Sequence, residues 1–271
     1  MDWKSNHMKR YQVAFFGATA WTIGFVAAHT DTTDRSDDWD APYVVLEESA
    51  ILSPEFAGAY RAEPITTPVT KEGMAFRDDL TARNLLASDG RISIPAVTPH
   101  FARTLLASGT TTLCMTHIYE TVRTDGGYIV RYVNTDGYGE LFCETIMDTR
   151  SPVREDTRIS LRAMLTGHGC PVDGYDKGGI RVLHGRFDSE YILAMDCEND
   201  GFAARALYRK RWAQLCHTDF AGWETAAIAS YLAYEYPAPF AVNVAEEYRI
   251  CPSAAYSNVM AAYEGGAAYV L

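Results

Sequence analysis

The chain has 271 residues, of which 48% are hydrophobic and 22% charged, with 24 Lys and Arg against 35 Asp and Glu. These proportions are those of a globular protein and exclude a disordered, fibrous or disulfide-knot chain. The formal charge of −11 argues against a nucleic-acid-binding protein, because contacts to phosphate need a basic surface.

An apolar run from Val13 to Ala28 follows the basic residues Lys4, Lys9 and Arg10. A basic segment before a short apolar run is typical of a secretory signal peptide, and the run is too short to span a membrane comfortably. Small residues interrupt it at 17–20, with β-branched and aromatic residues on both sides, which favours two buried strands. We expect buried strands, with a signal peptide as the open alternative.

The middle of the chain changes from irregular to strand-like patterning. Residues 30–40 are acidic and polar and predict an exposed loop. A helix is expected between Thr98 and Gly109, because proline at the first helical position and glycine after the last are typical helix boundaries. From residue 113 the apolar residues alternate or form short runs separated by glycine-containing turns. Six strands are predicted there, at 113–122, 128–134, 139–147, 158–165, 180–184 and 190–195.

Helical spacing returns at 201–216, where Ala204, Tyr208, Trp212 and Leu215 share a face, and a second helix is expected at 223–236 before a last strand at 240–250. No linker or internal repeat divides the chain. We therefore expect one mainly β (α+β) domain over residues 1–271. Its parts would be an N-terminal arm or strands at 1–40, an antiparallel strand core at 110–200 and a helical segment at 201–236.

No strong catalytic motif is visible: the chain has no phosphate-binding loop, nucleophile elbow, zinc-protease helix or dinucleotide fingerprint. His168 close to Cys170, and Cys216 beside His217, permit a thiol–imidazole nucleophile. A glycine-rich turn is the more ordinary interpretation of residues 167–179. The six cysteines form no CxxC pair, which disfavours a zinc ribbon and leaves both free thiols and disulfides open.

One segment resembles a known family. Residues 158–171 contain an RISL strand that runs into a glycine-rich loop ending in GCP. This segment is similar to the baculovirus occlusion-body matrix proteins polyhedrin and granulin. LYRKRWAQL (207–215) looks like a helix of these proteins and of the cypovirus polyhedrins. The spacing here is two residues longer, His168 replaces a loop glycine, and the basic tract of the baculovirus proteins is absent. The positions that carry the resemblance are Arg158, Ile159, Ser160, Leu161, Gly167, Gly169, Pro171 and Trp212.

The resemblance implies an antiparallel jelly-roll-like β-sandwich with several helices and an extended N-terminal arm. Such a protein trimerises and forms in vivo crystals, the viral occlusion bodies of an infected host cell, which embed virions and dissolve at alkaline pH. Its partners would be copies of itself and virions, without nucleic acid or membrane. It would be a structural protein rather than an enzyme, with no catalytic residue, metal or cofactor.

Two further expectations accompany this interpretation. Cys170 lies at the matching loop position and is the candidate for a lattice disulfide. Ionisation of 17 Tyr and six Cys would change the charge from −11 to −34, which would dissolve contacts at alkaline pH.

Two alternatives remain open. One is an exported enzyme or binding protein with a signal peptide and a site around His168 and Cys170. The other is a different jelly-roll virion component.

Overall fold

The computed structural model describes residues 8–30, 39–167 and 174–271. Within these ranges the strands are β1 (Lys9–Phe16), β2 (Ala41–Leu46), β3 (Thr111–Leu113), β4 (His117–Thr124), β5 (Gly127–Asn134), β6 (Gly137–Asp148), β7 (Arg158–Gly167), β8 (Asp176–Lys177), β9 (Ile180–His184), β10 (Tyr191–Asp196), β11 (Trp223–Ile228), β12 (Ala233–Glu235), β13 (Val242–Ala245) and β14 (Tyr248–Ile250). The α-helices are α1 (Ala20–His29), α2 (Lys71–Ala82), α3 (Thr98–Ser108), α4 (Gly201–Leu215) and α5 (Val259–Ala267). No helix in the described part of the chain is long and apolar enough to cross a membrane.

The first sheet has a parallel centre. Its order is β13-β14-β6-β1-β2-β3, and β1 runs parallel to both β2 and β6. Strands β4, β5 and β6 form an antiparallel meander on the same sheet. Helix α1 connects β1 to its parallel neighbour β2, which is the βαβ arrangement that parallel strands require.

Strand β1 is buried on both faces. Val13 and Phe15 pack with the helices, whereas Ala14 and Phe16 pack on the opposite face with residues of the meander. A strand at the centre of a parallel sheet is covered on both sides and therefore reads as a continuous apolar run. This explains the sequence of the first predicted strand at 13–16.

Helices α1 and α5 pack unusually closely at two glycines. A Cβ atom at Gly24 would lie 1.9 Å from the carbonyl oxygen of Tyr263, and one at Gly266 would lie 1.8 Å from that of Trp21. Because real Cβ atoms do not approach other atoms so closely, both positions require glycine at this helix separation. The contact fixes the start of α1 relative to the end of the chain.

The second sheet is antiparallel, with the order β11-β7-β10-β9-β8 and with β12 also paired to β7. Helix α4 covers it, and Ala204 and Tyr208 are buried against the sheet with Trp212 and Leu215 beside them. The helix predicted at 201–216 is therefore confirmed. The RISL residues Arg158, Ile159, Ser160 and Leu161 begin β7 and Gly167 ends it, whereas Gly169, Cys170 and Pro171 lie outside the described residues.

The expected jelly-roll sandwich is wrong. A jelly roll consists of antiparallel strands, whereas the neighbouring strands β14, β6, β1, β2 and β3 are parallel to one another and the first crossover is a helix. The N-terminal segment is also not an extended arm, because β1 is the centre of the sheet and α1 is buried from Ala20 to Val26. Residues 223–235 form strands β11 and β12 in place of the second predicted helix.

Candidate functional site

The carboxyl ends of β1, β2 and β6 meet at one edge of the first sheet. In open sheets with parallel strands, ligands bind in the crevice beyond these ends. A cavity of 280 Å³ opens there, which we call the crevice cavity. Its lining consists of Thr19, Glu47, Glu48, Ser49, Pro54, Glu55, Arg150, Ser151, Tyr231, Leu232 and Tyr234.

A cluster of threonines closes the turn between β1 and α1. Gly17 has a φ of +106°, and the next residue but one, Thr19, caps the helix by accepting a hydrogen bond from the Thr22 backbone N–H. The Oγ1 atom of Thr149, which follows β6, lies 2.9 Å from the Oγ1 atoms of both Thr19 and Thr22. Thr22 Oγ1 also donates to the Gly17 carbonyl at 2.8 Å. These contacts tie the ends of β1 and β6 to the start of α1.

Glu47 is the first residue after β2 and is almost completely buried. Its Oε2 accepts a hydrogen bond of 2.8 Å from the backbone N–H of Ala18 in the turn, and its Oε1 accepts one of 2.8 Å from Ser49 N–H. Burial raises the pKa of the Glu47 carboxyl, against the effect of these hydrogen bonds. The carboxyl therefore occupies one backbone donor of the β1–α1 turn.

Glu55 lies below the first turn of α1 and is 7% exposed. Its Oε1 accepts hydrogen bonds from Ala20 N–H at 2.8 Å, Ser253 Oγ at 2.8 Å and Ser53 Oγ at 3.2 Å. Its Oε2 is buried and has no hydrogen-bond partner among the described residues. Burial raises the pKa of Glu55 to about 7, although the hydrogen bonds to Oε1 oppose that rise. Near neutral pH the carboxyl is therefore partly protonated, and Oε2 is the oxygen free to hold the proton.

The remaining charges make the crevice cavity acidic. Arg150 donates to both carboxylate oxygens of Asp148, at 3.0 and 2.7 Å, and its NH1 lies 3.7 Å from Glu48. The carboxylate of Asp148 therefore balances the charge of this guanidinium through two hydrogen bonds. Tyr231 and Tyr234, from the second sheet's side of the cavity, supply aromatic walls. The arrangement can bind a positively charged group and exchange a proton with it.

The residues singled out by sequence do not form this site. His168 and Cys170 lie outside the described residues, and Cys216 is the half-buried residue directly after α4. The cysteines of the described ranges, which exclude Cys170, are free thiols. Across the same ranges no group of three or more His, Cys, Asp or Glu side chains is arranged to hold a metal.

Sequence reasoning missed Glu47 and Glu55. A signal for Glu47 was present, since an acidic residue follows the apolar strand at 43–46, which is the next apolar segment after the run at 13–28. Nothing comparable marked Glu55, which lies in an irregular segment.

No protein-family model matches the sequence, and no curated protein matches it either. Solved structures do match. Glycine oxidase from Geobacillus kaustophilus is 10% identical, with a TM-score of 0.60, and the match covers 95% of this chain and 93% of that chain. A flavoprotein/dehydrogenase from Cytophaga hutchinsonii is 10% identical, with a TM-score of 0.57, over 96% of this chain and 76% of that chain. L-Amino acid deaminase from Proteus myxofaciens is 10% identical, with a TM-score of 0.55, over 94% of this chain and 87% of that chain. The chain spans only 59% and 55% of two larger similar structures, BexE and the aromatic hydroxylase CabE.

These similarities show the fold, which is the Rossmann-like arrangement of a mixed sheet and helices that the similar structures share. They overturn the polyhedrin resemblance, and with it the expected matrix protein, the in vivo crystal and the occlusion-body location. The expectation of a protein without enzymatic activity is contradicted as well, because the similar structures are named as enzymes.

In dinucleotide-binding proteins of Rossmann-like fold, the turn between the first strand and the first helix holds the diphosphate. In the G-x-G-x-x-G pattern the second glycine lets the diphosphate approach the backbone, and the third allows close helix packing. This chain keeps the first glycine as Gly17 but has Thr19 and Thr22 at the second and third positions. The backbone N–H groups of Ala18 and Ala20 are already bonded to carboxylates of the chain. The residues present therefore do not fit the diphosphate of FAD.

Proposed function

We propose that the protein is an enzyme that binds a small primary amine in the crevice cavity, with Glu55 as the group that exchanges a proton with it. The observation that carries this proposal is the buried Glu55 carboxyl, whose Oε1 is fully used by three donors while Oε2 has no partner within the described residues. An unpartnered buried carboxyl oxygen is costly, and a ligand with an N–H donor would remove that cost.

The charge of the cavity favours an ammonium group over other donors. Three glutamates, Glu47, Glu48 and Glu55, line the cavity together with one arginine, Arg150, which is paired with Asp148. Tyrosine rings also attract cations through their negatively polarised faces. The volume of 280 Å³ is just below the range for small-molecule sites, about 300–1,000 Å³, which indicates a compact ligand.

The pKa of Glu55 suits proton transfer at neutral pH. A general acid or base works best when its pKa lies near the operating pH, and Glu55 has a pKa of about 7. The ionised carboxylate accepts a proton from the bound ammonium, which leaves a neutral amine with a free electron pair and a protonated Glu55. The reverse transfer returns the proton to the nitrogen. The proposal gains support from two similar structures, which are named for glycine and for L-amino acids, both amine compounds.

Binding of n-butylamine and of 1-butanol tests the proposal, since the two differ mainly in the charged head group. By calorimetry at pH 7 we expect the amine to bind at least about tenfold more tightly than the alcohol, and Glu55→Gln to abolish this preference. Glu140→Gln is the matched control, because Glu140 is an exposed carboxylate on β6 paired with Arg131. Equal binding of amine and alcohol would refute the proposal.

Proton release gives a second measurement on the same samples. Because Glu55 is partly protonated at pH 7, binding of an ammonium group should release a fraction of a proton per chain. Calorimetry in two buffers with different ionisation enthalpies measures this number. Glu55→Gln should release none, and an unchanged release in that variant would assign the proton to another group.

The second candidate function is a flavin-dependent oxidoreductase, which the names of the similar structures favour. Incubation of the purified protein with FAD, followed by removal of free flavin and measurement of visible absorbance, distinguishes the two. Our proposal expects no retained flavin. One FAD per chain would favour the oxidoreductase.

A further inference from the structure

We infer that Glu47 and Glu55 are tethered anions that fill a diphosphate-binding turn, so that removal of the Glu55 side chain converts the turn into a site for nucleoside diphosphates. This inference is independent of the amine proposal, since it concerns the backbone donors of the turn and not the free oxygen of Glu55.

The carboxylates occupy donors that an anion at this turn would use. Glu47 Oε2 accepts from Ala18 N–H and Glu55 Oε1 accepts from Ala20 N–H, each at 2.8 Å, and Ser253 Oγ accepts from Trp21 N–H at 3.3 Å. Backbone N–H groups at the start of a helix bind phosphates because they are unpaired within the helix and lie at the positive end of its dipole. In this chain those donors already have internal acceptors.

The segment that carries Glu55 is fastened to the turn. Ser53 has a φ of +55°, an uncommon conformation for a residue with a side chain, and its N–H donates to the Ala18 carbonyl at 2.7 Å. A short π-helical turn at Pro54–Gly58 follows, in which Glu55 and Phe56 are buried. This backbone conformation directs Glu55 under the N-terminus of α1. The strain at Ser53 is compensated by the hydrogen bonds that the segment makes there.

A diphosphate that used the Ala20 N–H would have to displace the Glu55 carboxylate, while Glu47 keeps the Ala18 N–H. Because Glu55 belongs to the same chain, its local concentration at the turn is far higher than that of a dissolved ligand. Displacement would also leave Glu55 buried without donors next to a further negative charge, which is strongly unfavourable. The fold thus keeps the position of the dinucleotide turn while its own side chains exclude the diphosphate.

ADP is the probe, and calorimetry on four proteins is the experiment. We expect no detectable binding to the wild type, and binding at least about tenfold stronger to Glu55→Ala, in which Ala20 N–H and both serine hydroxyls become available. The double variant Glu55→Ala/Thr19→Gly, which restores a glycine at the second position of the pattern, should bind ADP more tightly still. Glu48→Ala is the control, because it removes the same charge from the same cavity but frees no N–H of the turn, and it should behave as the wild type.

A measurement on the wild type covers the case in which the variants do not fold. The amide ¹H–¹⁵N signal of Ala20 should follow the Glu55 titration with a midpoint of about 7 and should not move when ADP is added. Movement of the Ala18 and Ala20 signals with ADP would overturn the inference, as would folded Glu55→Ala proteins that fail to bind ADP. Amine binding is measured separately, so a failure of either idea leaves the other intact.

Discussion

Replacing Glu55 by Gln should remove most of a pH dependence of stability that the buried carboxyl creates. Glutamine keeps the size of the side chain and an oxygen that accepts from Ala20 N–H, but it cannot ionise. The pKa of Glu55 is raised from 4.5 to about 7 in the folded protein, so the folded chain holds a proton that the unfolded chain releases. This contribution to stability is complete below pH 4.5 and is lost as the pH rises to about 7.

The magnitude follows from the shift. At about 1.4 kcal/mol per pKa unit, a rise from 4.5 to about 7 corresponds to about 3 kcal/mol, of which about 2.5 kcal/mol is lost between pH 5 and pH 8. Urea unfolding of the wild type and of Glu55→Gln at pH 5 and pH 8 measures the difference. Glu47 and Arg61, which interact electrostatically with Glu55, are present in both proteins, so the comparison isolates the Glu55 carboxyl.

Equal pH dependence in the two proteins would refute the reasoning, because it would mean that Glu55 titrates like an exposed carboxyl. The proposed proton exchange with an amine would then lose its basis as well. The exposed Glu140 gives the matched control variant, Glu140→Gln, which should keep the wild-type pH dependence.

Two further predictions concern packing and buried charge. Gly266→Ala should lower the free energy of unfolding by about 3 kcal/mol in urea titrations, since its Cβ would meet a backbone carbonyl at 1.8 Å, whereas Gly201→Ala at the start of α4 should change it by less than about 1 kcal/mol. Arg162→Ala should cost about 3–5 kcal/mol because it removes a fully buried guanidinium that pairs with Glu63 and Glu235, which then keep only Arg61 and Arg181 among the described residues. Arg158→Ala breaks an exposed pair and should cost less than about 1 kcal/mol. Equal losses for either pair of variants would contradict the packing or charge argument behind it.

The antiparallel half of the molecule was the part that sequence predicted best. The segments at 113–147 and 158–195, in which apolar and polar residues alternate, contain strands β4 to β7, β9 and β10. A strand with one covered face keeps this period of two. Helix α1 was missed for the opposite reason. All its residues from Ala20 to Val26 are buried, so no polar face marks a helical period.

The second predicted helix failed through tertiary pairing. Residues 223–235 contain helix-favouring alanines, but they pair with β7 along its length, with a register shift between Thr225 and Ala227. Strand pairing can override a weak local preference for helix. The polyhedrin resemblance failed because a strand followed by a glycine loop occurs in many antiparallel sheets and carries no information about the parallel sheet beside it.

The expected alkaline charge switch is also weaker than composition indicates. Burial raises the pKa of Tyr236 and of Cys143 to about 12, and it raises that of Tyr263 further. These groups therefore remain neutral at pH values where exposed tyrosines ionise. Composition counts ionisable groups, but only the fold determines which of them can reach water.

The candidate site combines residues that no local pattern connects. Glu55 contacts Ala20, 35 positions earlier, and Ser253, 198 positions later, so the burial that raises its pKa is complete only after these distant segments have packed around it. The fold determines where a ligand can bind, at the carboxyl ends of the parallel strands. The side chains at that edge determine its charge. Because carboxylates hold the donors of the turn here, the same edge that would accept an anion in a glycine-rich chain is suited to a cation in this one.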